Sequence, residues 1–464
     1  GTTAAAGSTL SSFDALQGGE TLTMTGSGTA ASANVANGIA MSSNGNLALA
    51  NGTGAASNYS LNSTVINIAK RVLNSSGSKI YDANTNALAG AITLSNLVSG
   101  EALNHSGTAT ISSANAGSYT ISNLSGISIA DGSGGAASNY TLTGGTHNFT
   151  VNRRPLNATL ARQYDGTTAA AGSTLSSFDA LQGGETLTLS GSGTAANDNV
   201  ANGISVSSLG TLALVNGTGA ASNYSLNSAA INITQRVLNS SGSKIYDANT
   251  NALAGAITLS NLVSGEALNH SGTATISSAN VGSYTISNLS GINIADGSGG
   301  AASNYTLTGG THNFTVNRRV VGVSGTRLYD ATTNAVASDL STHANLVGSE
   351  TLTLSGTGTI ASKDVGSNKT VSVGTLALGN GSNGGLAGNY TLSGGTHQLT
   401  VNQRPLNATL ARQYDGTTAA AGSTLSSFDA LQGGETLTLS GSGTAANDNV
   451  ANGISVSSLG TLAL

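Results

Sequence analysis

The chain has 464 residues, of which 64 are Gly and 2 are Pro, and it contains neither Cys nor Trp. Only 8% of its residues are charged and its net charge is -5, so we expect neither a basic surface for nucleic acid nor a disulfide framework. No apolar stretch reaches the roughly 18 residues of a membrane span, so membrane insertion is not expected. Low net charge combined with many β-branched residues favours a folded chain over a disordered one.

A repeat of about 83 residues dominates the sequence. Tyr-Asp recurs at spacings of 83, 82, 83 and 85 residues, with an Arg ten residues before each Tyr. A Glu follows each Tyr by 20 or 21 residues, and an Asn-Tyr pair follows that Glu by 39 or 40. The markers of the complete repeats are Arg71, Tyr81, Asp82, Glu101, Tyr140, Arg154, Tyr164, Asp165, Glu185, Tyr224, Arg236, Tyr246, Asp247, Glu266, Tyr305, Arg319, Tyr329, Asp330, Glu350 and Tyr390.

These markers divide the chain into units of three types. The predicted units are 1–70 (incomplete, type A), 71–153 (B), 154–235 (A), 236–318 (B), 319–403 (C) and 404–464 (incomplete, A). The two B repeats differ only at two positions, where Ala116 and Ser128 become Val281 and Asn293. Because both end repeats are incomplete, we expect the chain to be a segment of a longer protein.

Each repeat is predicted to consist of short β-strands. Polar and apolar residues alternate at 119–121, 147–151, 185–189, 203–206, 224–226 and 231–234, with Gly-rich turns between them. Short strands at this spacing are typical of a sandwich or barrel, and no period of 20–30 residues supports a solenoid. We therefore expect an all-β tandem array of small β-sandwich-like domains of about 83 residues. With no flexible linker at the joints, the array should form an elongated rod.

The residues around the Tyr-Asp pairs resemble a known family. Tyr-Asp-Gly-Thr-Thr at 164–168 and Lys-Ile-Tyr-Asp-Ala-Asn-Thr at 79–85 are similar to the YDG-type and related MBG-type repeats. Such repeats occur in filamentous-haemagglutinin-like adhesins and other very long bacterial surface proteins. The resemblance implies an extracellular or cell-surface location and a role in adhesion or biofilm.

Structural roles are predicted for the recurring residues. We expect the Asp of Tyr-Asp to cap a turn and its Tyr to pack on the core. The recurring Arg and Glu suggest a fixed electrostatic contact, such as Arg with a carboxylate. For the Tyr of Asn-Tyr three roles stay open: a tyrosine corner with its hydroxyl on backbone, plain core packing, or a platform for sugar stacking.

No metal, cofactor or catalytic site is predicted. The run 82–86 resembles a calcium loop, but Ala87 and Thr93 stand where such a loop needs Gly and Glu. No His lies at metal-ligand spacing. An isopeptide bond cannot be general, because residues 154–235 contain no Lys, although Lys79 and Lys244 of the B repeats remain conceivable positions for one. The six His are His105, His147, His270, His312, His343 and His397.

Two functions compete on this pattern. The first is a structural stalk or fibre of a large secreted adhesin, in which repeats self-associate or hold more distant regions against a host or matrix surface. The second is a multivalent array with a weak glycan or surface site in each repeat. Enzymatic activity is not expected, because no nucleophile and base recur together.

Overall fold

The computed structural model describes residues 1–464 and is built from β-strands and short 3-10 turns, with no α-helix among these residues. It confirms the predicted all-β fold with tandem repeats, each formed around a curled main sheet. The chain divides into two compact units, Gly1–Thr234 and Gln235–Leu464. Within the described chain, no helix has the length and apolar character needed to cross a membrane.

The first unit holds one incomplete and two complete repeats. The strands of residues 1–70 are Ala4–Ala6, Leu22–Thr25, Ser27–Ala30, Ala36–Ser43, Ala48–Asn51 and Val65–Ile68. Those of residues 71–153 are Arg71–Val72, Asn74–Ile80, Asn86–Leu88, Ile92–Ser95, Leu103–Ile111, Gly117–Asn123, Ile127–Asp131, Tyr140–Thr141 and His147–Asn152. Those of residues 154–235 are Arg154–Gln163, Ala169–Ala171, Leu175–Phe178, Leu187–Ser190, Ser192–Ala195, Ala201–Ser208, Ala213–Asn216 and Tyr224–Thr234.

The second unit repeats this order of strands. The strands of residues 236–318 are Arg236–Val237, Asn239–Ile245, Asn251–Leu253, Ile257–Ser260, Leu268–Ile276, Gly282–Asn288, Ile292–Asp296, Tyr305–Thr306 and His312–Asn317. Those of residues 319–403 are Arg319–Val320, Gly322–Leu328, Asn334–Val336, Thr342–Ala344, Leu352–Ser355, Thr357–Ile360, Gly366–Ser372, Ala377–Asn380, Tyr390–Thr391 and His397–Asn402. Those of residues 404–464 are Ala408–Leu410, Ala419–Ala421, Leu425–Phe428, Ser442–Ala445 and Val456–Ser458.

The 3-10 turns fall at the same places in successive repeats. They are Gly7–Thr9, Ala56–Asn58, Ala89–Ala91, Ala137–Asn139, Gly172–Thr174, Ala221–Asn223, Ala254–Ala256, Ala302–Asn304, Ala337–Asp339, Ala387–Asn389 and Gly422–Thr424. In the complete repeats, one of them directly precedes the Tyr of each Asn-Tyr pair, so this turn sets where that Tyr enters its strand.

The first and last strands of residues 154–235 lie side by side. We call Arg154–Gln163 the leading strand and Tyr224–Thr234 the closing strand of this repeat. They pair in parallel over ten residues of the leading strand, with one register shift between Leu156 and Asn157. Each also has an antiparallel neighbour on its other side, Leu175–Phe178 for the leading strand and Ala201–Ser208 for the closing strand. The parallel pair therefore lies inside the sheet, with no exposed edge.

Repeats of types B and C carry the same parallel pair in two pieces. In residues 71–153, Arg71–Val72 pairs with Tyr140–Thr141, and the leading strand Asn74–Ile80 pairs with the closing strand His147–Asn152. The leading and closing strands of the other two such repeats are Asn239–Ile245 with His312–Asn317 and Gly322–Leu328 with His397–Asn402. The parallel pairing is thus common to all four complete repeats.

A glycine allows the chain to turn from one strand pair into the main sheet. Gly191 separates Leu187–Ser190 from Ser192–Ala195 and has φ +78°, a conformation that side chains with a Cβ rarely adopt. A Cβ at this position would lie 2.0 Å from the carbonyl oxygen of Thr211. The Gly-rich runs that predicted turns are therefore required here by steric contact as well as by backbone conformation.

The hydrophobic core is continuous across repeats. In the first unit one cluster joins Tyr81 and Phe149 of residues 71–153 to Leu187 and Tyr224 of residues 154–235. In the second unit one cluster likewise includes residues of both 236–318 and 319–403, such as Tyr246 and Tyr390. Neighbouring repeats within a unit therefore share a core, whereas the sequence had predicted separate domains joined closely.

Candidate functional site

The recurring residues of neighbouring repeats meet at the joints between them. In the first unit, Glu185 accepts a hydrogen bond from Tyr81 of the preceding repeat, at 2.6 Å from Oε1. Its other oxygen, Oε2, accepts one from Tyr224 of its own repeat. The rings of Tyr81 and Tyr224 contact edge to face, with centroids 5.3 Å apart. One carboxylate thus binds a tyrosine from each side of the joint.

The second unit contains the same arrangement. Tyr246 donates to Glu350 Oε1 at 2.7 Å, and Tyr390 donates to Oε2 of the same Glu at 2.6 Å. The two rings are 5.4 Å apart and also meet edge to face. Because B-type and A-type repeats meet in the first unit and B-type and C-type repeats in the second, the arrangement does not depend on the repeat type.

The Tyr of Asn-Tyr is both buried and bonded to backbone. The hydroxyl of Tyr224 accepts from the backbone N–H of Gln182 at 3.1 Å, and the hydroxyl of Tyr390 accepts from that of Val347 at 3.0 Å. These rings are 1% and 2% exposed, so they have no free face for stacking a sugar. The tyrosine-corner role and core packing therefore hold together, and the sugar-platform hypothesis is wrong for these rings.

The Asn of each Asn-Tyr pair forms a second link across the joint. Asn223 accepts from the backbone N–H of Ala116 at 2.8 Å and donates to Asn115 Oδ1 at 2.9 Å. Asn389 makes the equivalent bonds to Val281 and Asn280, both at 2.9 Å. Sequence reasoning missed this role. The available signal was that Asn precedes this Tyr in every repeat.

The recurring Arg binds carbonyl groups rather than the carboxylate that the sequence suggested. Arg154 Nε lies 2.9 Å from the carbonyl oxygen of Ala180, and its Nη1 lies 3.2 Å from that of Tyr81 in the preceding repeat. Arg319 reaches the carbonyl of Tyr246 in the same way, at 3.4 Å. The guanidinium group therefore fixes the Tyr-Asp turn of one repeat against the start of the next.

The Asp of Tyr-Asp caps its own turn and pairs with a cation of its own strand. Asp82 Oδ1 accepts from the backbone N–H of Asn84 at 3.2 Å, and Lys79 Nζ lies 2.8 Å from the same oxygen. In type A, Arg162 pairs with Asp165, and Asp165 Oδ1 accepts from the backbone N–H of Thr167. The Asp of Tyr-Asp therefore makes these contacts within its own repeat and not across the joint.

A lysine ammonium occupies the loop that resembled a calcium site. Lys79 Nζ lies 2.7 and 2.9 Å from the two oxygens of Asn84 and 2.8 Å from the carbonyl oxygen of Asn86, besides the contact with Asp82. Lys244 has the same four partners in the second B repeat. The oxygens that resembled calcium ligands in the sequence therefore surround the lysine ammonium group instead.

Burial and the carboxylate shift the titration of the joint tyrosines. Burial first, and the hydrogen bond to Glu185 second, raise the pKa of Tyr81 to about 12. The same causes, with Glu350 as partner, raise the pKa of Tyr246 and of Tyr390 to about 12. All three hydroxyls therefore remain protonated donors through the physiological pH range.

The Tyr-Asp tyrosines are not equally buried along the chain. Tyr329 donates to Glu435, which also lies 2.6 Å from Lys363 Nζ. Tyr329 is only half-buried, and Tyr414 is 65% exposed, whereas Tyr81 is 3% exposed. Burial of the Tyr-Asp tyrosine thus follows from the contact with the next repeat.

The buried histidines considered in the sequence bind within their own repeats. His147, His312 and His397 are buried, and the ring of His147 lies 2.9 Å from Ser75 Oγ and 2.7 Å from the carbonyl oxygen of Leu142. Among the described residues, no three or more His, Asp or Glu side chains are grouped so as to hold a metal ion. The joints use their polar groups for contacts between repeats.

The fold and the joints define a class: a tandem-repeat all-β protein whose repeats share a core and are fixed to each other by recurring Tyr, Glu, Asn and Arg side chains. A family model described as the YDG domain matches residues 69–147, 152–232, 229–312 and 315–398, more than half of the chain. The chain belongs to the YDG domain family, which confirms that part of the predicted resemblance. No curated protein matches the chain.

Proposed function

We propose that this chain is a stalk or fibre segment of a large secreted bacterial adhesin of the filamentous-haemagglutinin-like kind, without enzymatic activity. The observation that carries the proposal is the carboxylate shared by two tyrosines from neighbouring repeats, at Glu185 and again at Glu350. Such a contact fixes the orientation of one repeat on the next. A fixed orientation is what a spacer requires, whereas an array of independent binding sites does not need it.

Two further features support the proposal. The closing strand of one repeat is followed almost at once by the next, since a single residue separates Asn152 from Arg154. In addition, the recurring Tyr, Glu, Asn and Arg side chains bind across the joints, and the recurring Asp binds its own turn and a cation of its own strand, so these polar groups are already engaged within the chain. Adhesion itself is assigned to regions outside this segment, and self-association into fibres stays part of the proposal.

Small-angle scattering on the purified chain tests the spacer function. A repeat of this size is about 30 Å across, so we expect a particle roughly 170 Å long. Removing the second unit, residues 235–464, should shorten it in proportion to the repeats lost. A compact particle, or a length that does not follow the number of repeats, would contradict the proposal.

Surface location needs a separate test in the organism that makes the protein. Antibodies against this segment should label intact cells as strongly as permeabilised cells. Labelling only after permeabilisation would exclude a surface stalk. Binding of the purified segment to a glycan array, stronger for the chain than for its shortened form, would instead favour a binding array.

A further inference from the structure

We propose that the parallel pair of leading and closing strands is a force-bearing clamp, through which each repeat withstands tension along the chain. The proposal rests on the stalk function, because a spacer held at both ends is the kind of protein that experiences such tension. It assigns a mechanical role to one strand pair in every complete repeat. The argument is clearest for residues 154–235, where the pair is longest and uninterrupted apart from one register shift.

The direction of the strands determines how tension acts on them. Since Arg154–Gln163 and Tyr224–Thr234 are parallel, the chain enters the repeat at one end of the pair and leaves it at the other end. Tension between the two ends therefore pulls the strands past each other along their length. It does not peel one strand from the other.

Shear and peeling differ in the force that they require. A hydrogen bond is lost within a displacement of roughly 1–2 Å, and in shear all bonds of the pair are loaded together. In peeling, one position opens at a time and each opening releases two residues, about 6–7 Å of chain. Because force multiplied by distance gives the energy required, the same bonds resist shear with a larger force.

The contacts around the pair oppose sliding as well. Leu160 of the leading strand and Ile231 of the closing strand, which are paired in register, are both 0% exposed, so sliding would pull apolar side chains out of the core. At the register shift, Ser228 Oγ donates to Asn157 Oδ1 at 2.6 Å and links the two strands directly. Asn157 is itself bound to Asp179 through its backbone N–H at 2.6 Å and its side-chain amide at 2.7 Å. Sliding of the strands would therefore have to break these hydrogen bonds at the register shift.

The absence of Cys allows the two directions of pulling to be compared in the full chain. Arg153→Cys with Gln235→Cys places handles at opposite ends of the pair and applies shear. Arg153→Cys with Ser222→Cys places both handles at the same end and applies peeling. All three positions are exposed, and none lies within the two strands, so neither variant alters the pair itself. Equal thermal unfolding of the two variants and the unaltered chain is the control for folding.

Single-molecule stretching at one loading rate gives the decisive comparison. We expect the rupture force in the shear variant to be at least about twofold that in the peeling variant. Equal forces, or a larger force in peeling, would overturn the clamp and leave the stalk proposal intact, since particle length tests that separately. A large shear force in a chain that scatters as a compact particle would retain the clamp as a property of the repeat and refute the stalk.

Discussion

Tyr81 and Tyr224 belong to different repeats, yet their rings meet edge to face at 75° and their hydroxyls bind the two oxygens of one carboxylate. The bond from Tyr81 is the one that crosses the joint. A hydrogen bond to a charged group contributes about 1.5–3 kcal/mol to stability. We therefore expect Tyr81→Phe to lower the free energy of unfolding of the first unit by this amount.

Glu185→Gln completes a double-mutant cycle with this substitution. If the two residues act through their bond, the effect of Tyr81→Phe should shrink when Gln occupies position 185. Tyr414→Phe is the matched control, because it alters the same motif at an exposed tyrosine and should change stability little. Additive effects of the two joint substitutions in denaturant unfolding would contradict the shared-carboxylate interpretation.

The joint tyrosines predict a loss of stability at alkaline pH. Their pKa rises from 10.0 in the unfolded chain to about 12 in the folded chain, at Tyr81, Tyr246 and Tyr390. A raised pKa stabilises the fold fully below pH 10, and this contribution disappears as pH rises through about 12. Thermal unfolding between pH 9 and pH 12 should therefore show a steep fall in melting temperature above about pH 10.

The variant Tyr81→Phe provides the control for this pH dependence. It removes one of the titrating hydroxyls, so its melting temperature should fall less steeply over the same range. An unchanged slope would show that groups outside the joint cause the alkaline unfolding.

The residue after Tyr-Asp adopts a left-handed backbone in every repeat that contains the pair. It is Gly in type A, as at Gly166 with φ +72°, and Ala in types B and C, as at Ala83 with φ +60°. For a residue with a Cβ, the left-handed conformation costs about 1–2 kcal/mol of folding free energy. Gly avoids this cost but loses more conformational entropy on folding, which costs about 0.5–1 kcal/mol. Ala83→Gly should therefore stabilise its repeat by about 0.5–1 kcal/mol.

Gly166→Ala is the reciprocal change and should destabilise its repeat by a similar amount. Ala83 is exposed, so its substitution removes no core contact. Chemical denaturation of both variants would measure the two effects. A destabilising Ala83→Gly would contradict the prediction.

The lysine in the B-type loop predicts both a mutational effect and the absence of a calcium effect. Lys79 has four oxygen atoms within 2.9 Å, and its side chain is only 12% exposed. Lys79→Met keeps the chain length but leaves these oxygens without their cation, so we expect a loss of about 1–3 kcal/mol. The same substitution at the exposed Lys70 should have little effect.

Calcium should leave the melting temperature of the unaltered chain unchanged, because Lys79 and Lys244 already occupy these loops. Titration with calcium, and separately with a chelator, measures this directly. A rise in melting temperature with calcium would show that the ion displaces the ammonium group.

The sequence predicted the elements of the fold better than their arrangement. Alternation of polar and apolar residues identifies strands such as Leu187–Ser190, and the spacing of Tyr-Asp identifies the repeats, because both are local or periodic properties. Alternation carries no information about which strands pair or in which direction. The parallel pairing of Arg154–Gln163 with Tyr224–Thr234 could not be predicted from it.

The contacts at the joints could not be predicted from the sequence for a related reason. The Tyr81 and Glu185 side chains that bind each other are separated by more than a full repeat, and each was considered within its own repeat. Both residues were singled out because they recur, and the expected burial of Tyr81 agrees with its 3% exposure. The expected Arg–carboxylate contact was wrong because the Glu oxygens are taken by the two tyrosine hydroxyls.

The joints also bear on how such a protein changes over generations. The B–A joint at Glu185 and the B–C joint at Glu350 are made by the same residue types at equivalent positions. Unequal crossing-over between near-identical gene segments adds or removes whole repeats, and the new neighbours then present matching surfaces. Strains of one species should therefore differ in the number of repeats, with Tyr, Glu, Asn and Arg retained at each new junction.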